Sequence, residues 1–556
     1  MANILGINRT SDASICLIKN SSEVVAVAKE RLTRKKHDWG KLGDIKNLYI
    51  KSHAVFATPV DIVVECYSSD AEYKNIAQYQ AELEDSIHFS SKPNIVQISH
   101  HLAHVYSGFF PSPFNEAAVL VCDFQGSHAE QVTENFPGKK NVPLRHVEVI
   151  SYYACKAGEV QCLNKQFWDG RHEAPKGLGT FYARLTQCLF PGIGNEGIVM
   201  GLAPYGNERE IELPQLEVID GHVSIPQAWI DLFINPSKYS FFIDGSGTFQ
   251  DAANLAAAGQ KAYERALLSC VQWLHESTGL QNIIIVGGCA LNCSANAKVT
   301  KHSPFKNVFI PPATHDGGTS LGCALYGLIH VLGKVNEFKW KTDSLGPVYN
   351  IESFAHSLAD HEFVEVERPA NIIQAVSDAL IGGEVLGIYQ GGSEFGPRAL
   401  GHRSIIADAR HGFITNYIND KIKKRQWFRP LSPMVLDSDK HHYFNFDRSS
   451  SFMLFAVEVK PEAKRLIPAV VHVDDSARIQ TITEAVNPFF FDLLSEYKKK
   501  TGISVILNTS FNGKTEPIVE TPEDALNCFL STPLNRLIMP PYIIHKKKRE
   551  KNPLHT

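Results

Sequence analysis

His100 and His104 stand four residues apart in the stretch Gln97-Ile-Ser-His-His-Leu-Ala-His-Val-Tyr-Ser-Gly-Phe-Phe110. On a helix that spacing puts both imidazoles on one face, within reach of a single metal ion. Carboxylates are available to join them. Asp123 ends the apolar run that begins at Ala117 and is followed by Gly126, and Asp316 lies in Val308-Phe-Ile-Pro-Pro-Ala-Thr-His-Asp-Gly-Gly318, at a strand-to-helix turn. Two histidines with one or two carboxylates suit iron, manganese or zinc and leave positions open for a substrate.

These residues need elements to hold them. Ile95 to Ile98 reads as a short buried strand, and the spacing of Leu102, Val105 and Phe109 as the packed side of a helix starting near Ser99. The chain opens with strands at Asn3–Asn8, Ile15–Lys19 and Val24–Lys29, the first two joined by a turn holding Ser11, Asp12 and Ser14. This is the opening that an actin-like or ribonuclease H-like lobe needs. A second set starts at Ala117 and continues through His146–Ala154 and Glu159–Leu163, so two copies of one lobe enclose a cleft. A long helix covers Asp251–Thr278. Asn282 to Asn292 then reads as a buried strand, a Gly287-Gly288 turn and a helix start, suited to bringing a nucleotide against backbone N–H groups. The same form recurs at Val308–Gly318, where Gly318 opens the helix Thr319–Leu332.

The pattern loses regularity between Lys341 and Ala370, placing a boundary near Pro347–Ser357 and two domains at 1–350 and 351–556. The second carries the strand Val385–Tyr389, the loop Gly391-Gly-Ser-Glu-Phe-Gly-Pro-Arg-Ala-Leu-Gly-His-Arg-Ser404, the basic run Lys421–Pro430 and the strand Val505–Asn512. Arginines set in glycine-rich and aromatic loops favour bidentate recognition of phosphate, because the guanidinium fork matches two oxygens. Arg398, Arg403, Arg429 and Arg478 fit that description, whereas Lys421 and Lys424 read as a solvated helix face.

Composition narrows the classes. At 556 residues, 44% hydrophobic and 21% charged, the chain is globular and too long for one ordinary core. No apolar run is long enough for a membrane span and no signal peptide opens the chain, so a cytoplasmic protein is expected. The 11 cysteines lack a Cys-x-x-Cys pair, which disfavours both a disulfide framework and a zinc ribbon. A net charge of -4 gives no basic footprint for nucleic acid.

The segments Ile4-Leu-Gly-Ile-Asn8, His100-His-Leu-Ala-His104, Met200-Gly-Leu-Ala-Pro-Tyr-Gly206, Ser393-Glu-Phe-Gly-Pro-Arg-Ala-Leu-Gly401 and Asn508-Thr-Ser-Phe-Asn512 together resemble the O-carbamoyltransferases of nodulation and antibiotic biosynthesis, the NodU/CmcH type. The resemblance implies an α/β protein. Its N-terminal domain would be a two-lobed, actin-like domain that transfers the carbamoyl group, and its C-terminal domain a YrdC-like α/β domain that forms carbamoyl-adenylate. It further implies ATP with Mg2+, carbamoyl phosphate, a divalent metal such as Fe2+, and a small hydroxylated acceptor, in a monomer or homodimer with no nucleic-acid or membrane partner. Carried over by position, His100, His104 and Asp316 are the metal ligands, and Lys36 and Asp123 lie close to the nucleotide or carbamoyl-adenylate. Arg398, Lys423, Arg429, Arg478 and Asn508 are the phosphate and nucleotide contacts. The family commonly has His where this chain has Ser11, Lys where Ile198 stands and Gly where Thr515 stands. Since a serine cannot take a proton from an alcohol at neutral pH, Asp12 is the nearest candidate base. A tRNA threonylcarbamoyl-type enzyme would share both domains but needs a basic RNA face, which a pI near 6.6 does not support. A non-enzymatic actin-like nucleotide-binding protein would need only the first domain.

Overall fold

A computed structural model of the chain describes residues 2–67, 76–192 and 194–547. The basic tail past residue 547 lies outside the described residues. Two compact units result. The first comprises Met1–Leu345 with the short segments Phe395–Pro397 and Leu454–Ala456; the second comprises Gly346–Glu394, Arg398–Met453 and Val457–Thr556.

The first unit holds two five-stranded sheets. One contains β1 (Ile4–Asn8), β2 (Ser14–Lys19), β3 (Glu23–Ala28), β4 (Ile62–Tyr67) and β5 (Ile95–Ser99), in the order β3-β2-β1-β4-β5. The first three are antiparallel neighbours, and β1, β4 and β5 are parallel. The other contains β6 (Glu116–Cys122), β7 (Val147–Lys156), β8 (Glu159–Trp168), β11 (Asn282–Val286) and β12 (Asn307–Phe309), with the hairpin β9 (Glu217–Ile219) and β10 (His222–Ser224) forming a separate ribbon. Its order, β8-β7-β6-β11-β12, and its strand directions repeat those of the first sheet. Duplication of that order is the two-lobed actin-like architecture. Every residue of the parallel strand β4 is buried, Glu65 included, as expected of a strand covered on both faces.

The strand β8 continues to Trp168, beyond the Leu163 at which the sequence pattern ends it, because Lys165 and Gln166 are buried and hydrogen-bonded. The helix opened by Gly318 is α-helical only over Thr319–Tyr326 and passes into a π-turn at Gly327–Val331. This short helix of small residues lies between β1 and the helix His100–Phe109. A Cβ on Gly6 would fall 1.9 Å from the Ser320 carbonyl oxygen, and one on Gly322 would fall 1.8 Å from that of Ala103. Glycine is required on both sides for so close an approach.

The second unit is built on an eight-stranded mixed sheet formed by β13 (Val364–Glu367), β14 (Leu386–Tyr389), β15 (Arg403–Asp408), β16 (Ser432–Leu436), β19 (Gln480–Ile482), β20 (Val505–Ser510), β21 (Arg536–Met539) and β22 (Tyr542–Lys546). The order is β13-β22-β21-β14-β15-β20-β16-β19, and β17 (Ala456–Glu458) pairs separately with β18 (Ser476–Arg478). Its helix Pro488–Thr501 is specified at both ends: Asn487 accepts from the Phe490 N–H, Pro488 takes the first position, and Gly502 closes it at φ 77°. Among the described residues, no helix is long and apolar enough to cross a membrane.

Candidate functional site

The helix His100–Phe109 begins directly after β5, with Ser99 in extended conformation as its N-cap residue, and every one of its side chains is buried. His100 and His104 Nε2 stand 3.1 Å apart. Asp123, just beyond β6, brings Oδ2 to 3.3 Å from His100 Nε2 and 3.2 Å from His104 Nε2. Asp316, in the turn before Thr319–Tyr326, brings Oδ1 to 3.5 and 3.8 Å from the same nitrogens. One atom from each of the four lies within 4.8 Å of the others.

The set fits a divalent cation. Ligand atoms about 2.1 Å from one ion stand about 3.0–3.4 Å from one another in octahedral to tetrahedral geometry, close to the spacings here. Burial opposes a charge on His100, but Asp316 and Asp123 outweigh it and hold the imidazole pKa well above its ordinary value. Burial likewise pushes the Asp123 carboxyl up, and His100 and His104 more than reverse it, holding it well below the usual range. The centre of the cluster therefore favours positive charge. Asp123, which the family resemblance sets beside the nucleotide, stands in this ligand set. The intervening His101 turns away, its Nδ1 2.7 Å from Ser151 Oγ, and burial holds its pKa well below the ordinary value.

The first hairpin is tied to Asp316. Ser11 Oγ donates to Asp316 Oδ2 at 3.0 Å, and Asn8 Nδ2 donates to the Asp316 carbonyl at 3.0 Å and to those of Ser11 and Asp12 at 3.2 Å. Ser11 thus supports the Asp316 carboxylate. Asp12, at φ 52°, pairs with His37: Oδ1 is 2.8 Å from Nδ1, while Glu30 accepts the His37 backbone N–H at 3.1 Å. That bond and the Asp12 charge push His37 up to about 9. Burial pushes the Asp12 carboxyl up, and His37 more than offsets it, leaving it below its ordinary value. His37 went unmarked in the sequence because it sits inside the charged run Glu30–Asp38, whose cations suit either a solvated loop or an anion contact. Its neighbour Lys36 is exposed. In the Gly287-Gly288 turn, Gly288 N–H donates to Asp123 Oδ1 at 3.3 Å, and Gly318 N–H is taken by the His315 carbonyl at 2.9 Å.

In the second unit Arg425, Arg429 and Arg478 are drawn together. Burial first, then Arg429 and Arg478, hold Arg425 well below its usual value; burial, then Arg478, bring Arg429 to about 10. Among the described residues neither Arg425 nor Arg429 forms an ion pair with a carboxylate. Partly buried guanidiniums that repel one another favour an anion between them, and phosphate matches their fork. Arg478 Nε donates to Ser432 Oγ at 3.1 Å. Arg425 adds to the expected set; the sequence hid it among neighbouring lysines.

Three other expected contacts have structural work. Arg403, grouped in the sequence with the phosphate-binding arginines, is fully buried over the Tyr389 ring at 3.6 Å and donates to the carbonyls of Gln390, His402, Gly391 and Glu520. Asn508 Nδ2 donates to the Ala399 carbonyl and to Gln480 Oε1. Lys423 donates to the Ser510 carbonyl and to Asn512, bracing the end of β20. The loop carrying Arg398 is anchored by buried Glu394, whose Oε1 accepts from the N–H groups of Leu400, His402 and Arg403 at 2.7, 2.9 and 3.3 Å.

Residues 45–325 match the family model for a carbamoyltransferase N-terminus, and residues 377–546 that for a carbamoyltransferase C-terminus. The chain is 30% identical over 582 residues to nodulation protein NolNO of Sinorhizobium fredii, covering 96% of this chain and 79% of that one. Against nodulation protein NolO of Bradyrhizobium diazoefficiens it is 34% identical over 465 residues, covering 81% and 79%. It is 29% identical over 344 residues to the 3'-hydroxymethylcephem-O-carbamoyltransferase of Streptomyces clavuligerus, covering 60% and 61%.

Proposed function

The chain belongs to the carbamoyltransferase family, and on that premise we propose that it is an ATP-dependent O-carbamoyltransferase acting on a hydroxyl of a small natural product. Water hydrolyses carbamoyl phosphate to carbamate and inorganic phosphate in the second unit. The carbamate oxygen attacks the α-phosphorus of Mg2+-bound ATP, giving carbamoyl-adenylate and pyrophosphate. In the first unit the acceptor hydroxyl attacks the carbamoyl carbon, its proton passes to a base, and AMP leaves.

The observation that carries this reading is the convergence of His100, His104, Asp123 and Asp316 on one point, in a chain whose second unit also gathers arginines that want an anion. The four side chains would hold a divalent metal, Fe2+ or a replacement such as Mn2+ or Zn2+, which when bound polarises an oxygen of the reacting group. Ser11 and Asn8 keep Asp316 aimed. Asp12, beside this support and facing His37, is the group assigned to take the acceptor proton. Arg425, Arg429 and Arg478, with Arg398, bind phosphoryl oxygens. The Streptomyces relative's name gives its own acceptor as a hydroxymethyl group on a cephem, in keeping with a small hydroxylated acceptor here.

The test is incubation of the full chain with ATP, Mg2+, carbamoyl phosphate and a panel of hydroxylated metabolites, followed by pyrophosphate release and mass spectrometry. Expected are pyrophosphate that depends on carbamoyl phosphate and a product 43 Da heavier than its acceptor, about the mass of CONH2 replacing H. Pyrophosphate release indifferent to carbamoyl phosphate overturns the reading.

A further inference from the structure

Metal-binding imidazoles are ordinarily aimed by a hydrogen bond from the ring nitrogen that does not face the metal. In this structure Nδ1 of both His100 and His104 is buried and is without a hydrogen-bond partner among the described residues, and a further side chain that interacts with the His100 ring, besides the carboxylates, is the weakly bonding thiol of Cys66. Their direction has to be set by the backbone that carries them, at the start of the helix His100–Phe109. The first N–H groups of a helix have no partners within it, and here they are supplied from the other sheet. His100 N–H donates to Ser127 Oγ at 2.8 Å, and His101 N–H donates to Glu148 Oε1 at 2.9 Å. The same Glu148 oxygen accepts the Ser127 N–H at 3.1 Å, so one carboxylate organises both contacts.

Glu148 is wholly buried, and its other oxygen lies 2.6 Å from Lys165 Nζ, itself wholly buried. Lys165 also pairs with Glu134 at 2.7 Å, and Glu134 accepts the hydroxyl of Ser99, the helix N-cap residue. Two local features make room for this arrangement. The pairing of β7 with β8 slips immediately after Glu148, a bulge of the kind that re-aims a side chain. Gly126 supplies the space, since a Cβ there would lie 2.8 Å from Glu148 Oε1 and 2.8 Å from His101 Cδ2. Such a buried cluster is poor evidence for stability, because desolvating the charges offsets their attraction. Its position at the first turn of the metal-bearing helix is the informative fact.

We propose that Glu148, held in place by Lys165, is a positioning residue that fixes the first turn of the His100–Phe109 helix and thereby the aim of both imidazoles at the metal. This rests on the metal reading given above. A carboxylate reaching from the second lobe takes the place of the bonds that the two Nδ1 atoms do not make.

The test uses the full chain, stripped of metal and titrated with Co2+, whose visible absorption reports the ligand field. Glu148→Ala removes the acceptor for two N–H groups and should weaken Co2+ binding about 10- to 100-fold and shift the visible bands. Glu148→Gln keeps an oxygen for those groups and should restore affinity to within about fivefold. That rescue is not expected of a role confined to global stability. Should Glu148→Ala fail to fold, Ser127→Ala, which strips the acceptor from His100 N–H, carries the same expectation and decides the matter alone. Folded Glu148→Ala, or Ser127→Ala in its place, binding Co2+ with wild-type affinity and spectrum overturns this inference and leaves the metal reading standing. A wild-type chain that takes up no divalent metal overturns both.

Discussion

Replacing Asp12 by Asn tests how the acceptor hydroxyl loses its proton. The change is nearly isosteric, and asparagine tolerates the left-handed backbone of this position, φ 52°, as well as aspartate does. The bonds that tie the turn down run from Asn8 Nδ2 to main-chain carbonyls and are untouched. What disappears is the carboxylate charge 2.8 Å from His37 Nδ1. With that partner His37 titrates at about 9, so at pH 8 it is about nine-tenths protonated; returned to its ordinary 6.5, about one-thirtieth would be. Removing a general base costs about 100- to 10,000-fold in rate, whereas a lost turn cap costs roughly 1 kcal/mol of stability and little rate. The assay is carbamoyl transfer at saturating acceptor from pH 6 to 10, with the His37 ring followed by NMR. The expected outcome is a loss of at least about 100-fold together with a fall in the His37 pKa. If Asp12 accepts the proton itself, the loss is the same across that range, because its carboxyl is held below its ordinary value and stays ionised. If it acts through His37, the wild-type rate climbs as pH passes through about 9 and the variant's profile moves toward 6.5. Transfer by Asp12→Asn at near wild-type rate with an unchanged profile refutes both roles and leaves substrate-assisted attack as the better account.

Arg478→Ala should suppress carbamoyl-phosphate-dependent pyrophosphate release by about 30- to 1,000-fold, the loss of about 2–4 kcal/mol of charge-assisted contact to phosphate; unchanged release would sink its assignment. His104→Ala should abolish stoichiometric metal uptake and carbamoyl transfer while pyrophosphate release persists, with elemental analysis as the check. Gly322→Ala should destabilise the first unit by about 1–3 kcal/mol or more, since its Cβ would fall 1.8 Å from a carbonyl oxygen; an unchanged midpoint in denaturant contradicts the close packing described.

Local patterns were legible where one strand or one helix carries the information. The His100/His104 spacing, the opening hairpin and the strand-turn-helix at Asp316 follow from periodicity and turn chemistry alone. What escaped depends on partners remote in sequence. Asp12 and His37 are 25 positions apart and Ser11 and Asp316 are 305 apart, and no local pattern reports such meetings. Arg403 shows the converse limit: a guanidinium that holds carbonyls and one proposed to bind phosphate share the same glycine-rich surroundings. The polar residues of β8 mislead for a related reason, because Lys165 is buried only by virtue of Glu148 and Glu134.

The four side chains of the proposed metal site also have an order in time. Asn8 is bonded to Asp316 across 308 positions, and Asp316 is held by a helix wedged between β1 and the His100–Phe109 helix, so the last ligand arrives long after the first three. At about 5–20 residues per second of synthesis, His100, His104 and Asp123 precede Asp316 by on the order of 10–40 s. During that interval the chain already made would offer two imidazoles and a carboxylate, without the fourth oxygen that closes the set. Intrinsic affinities among divalent first-row metals favour copper and zinc over iron and manganese. On the proposed metal reading, an ion captured before residue 316 emerges would meet only three donors, and would be retained or exchanged when the fourth closes the site.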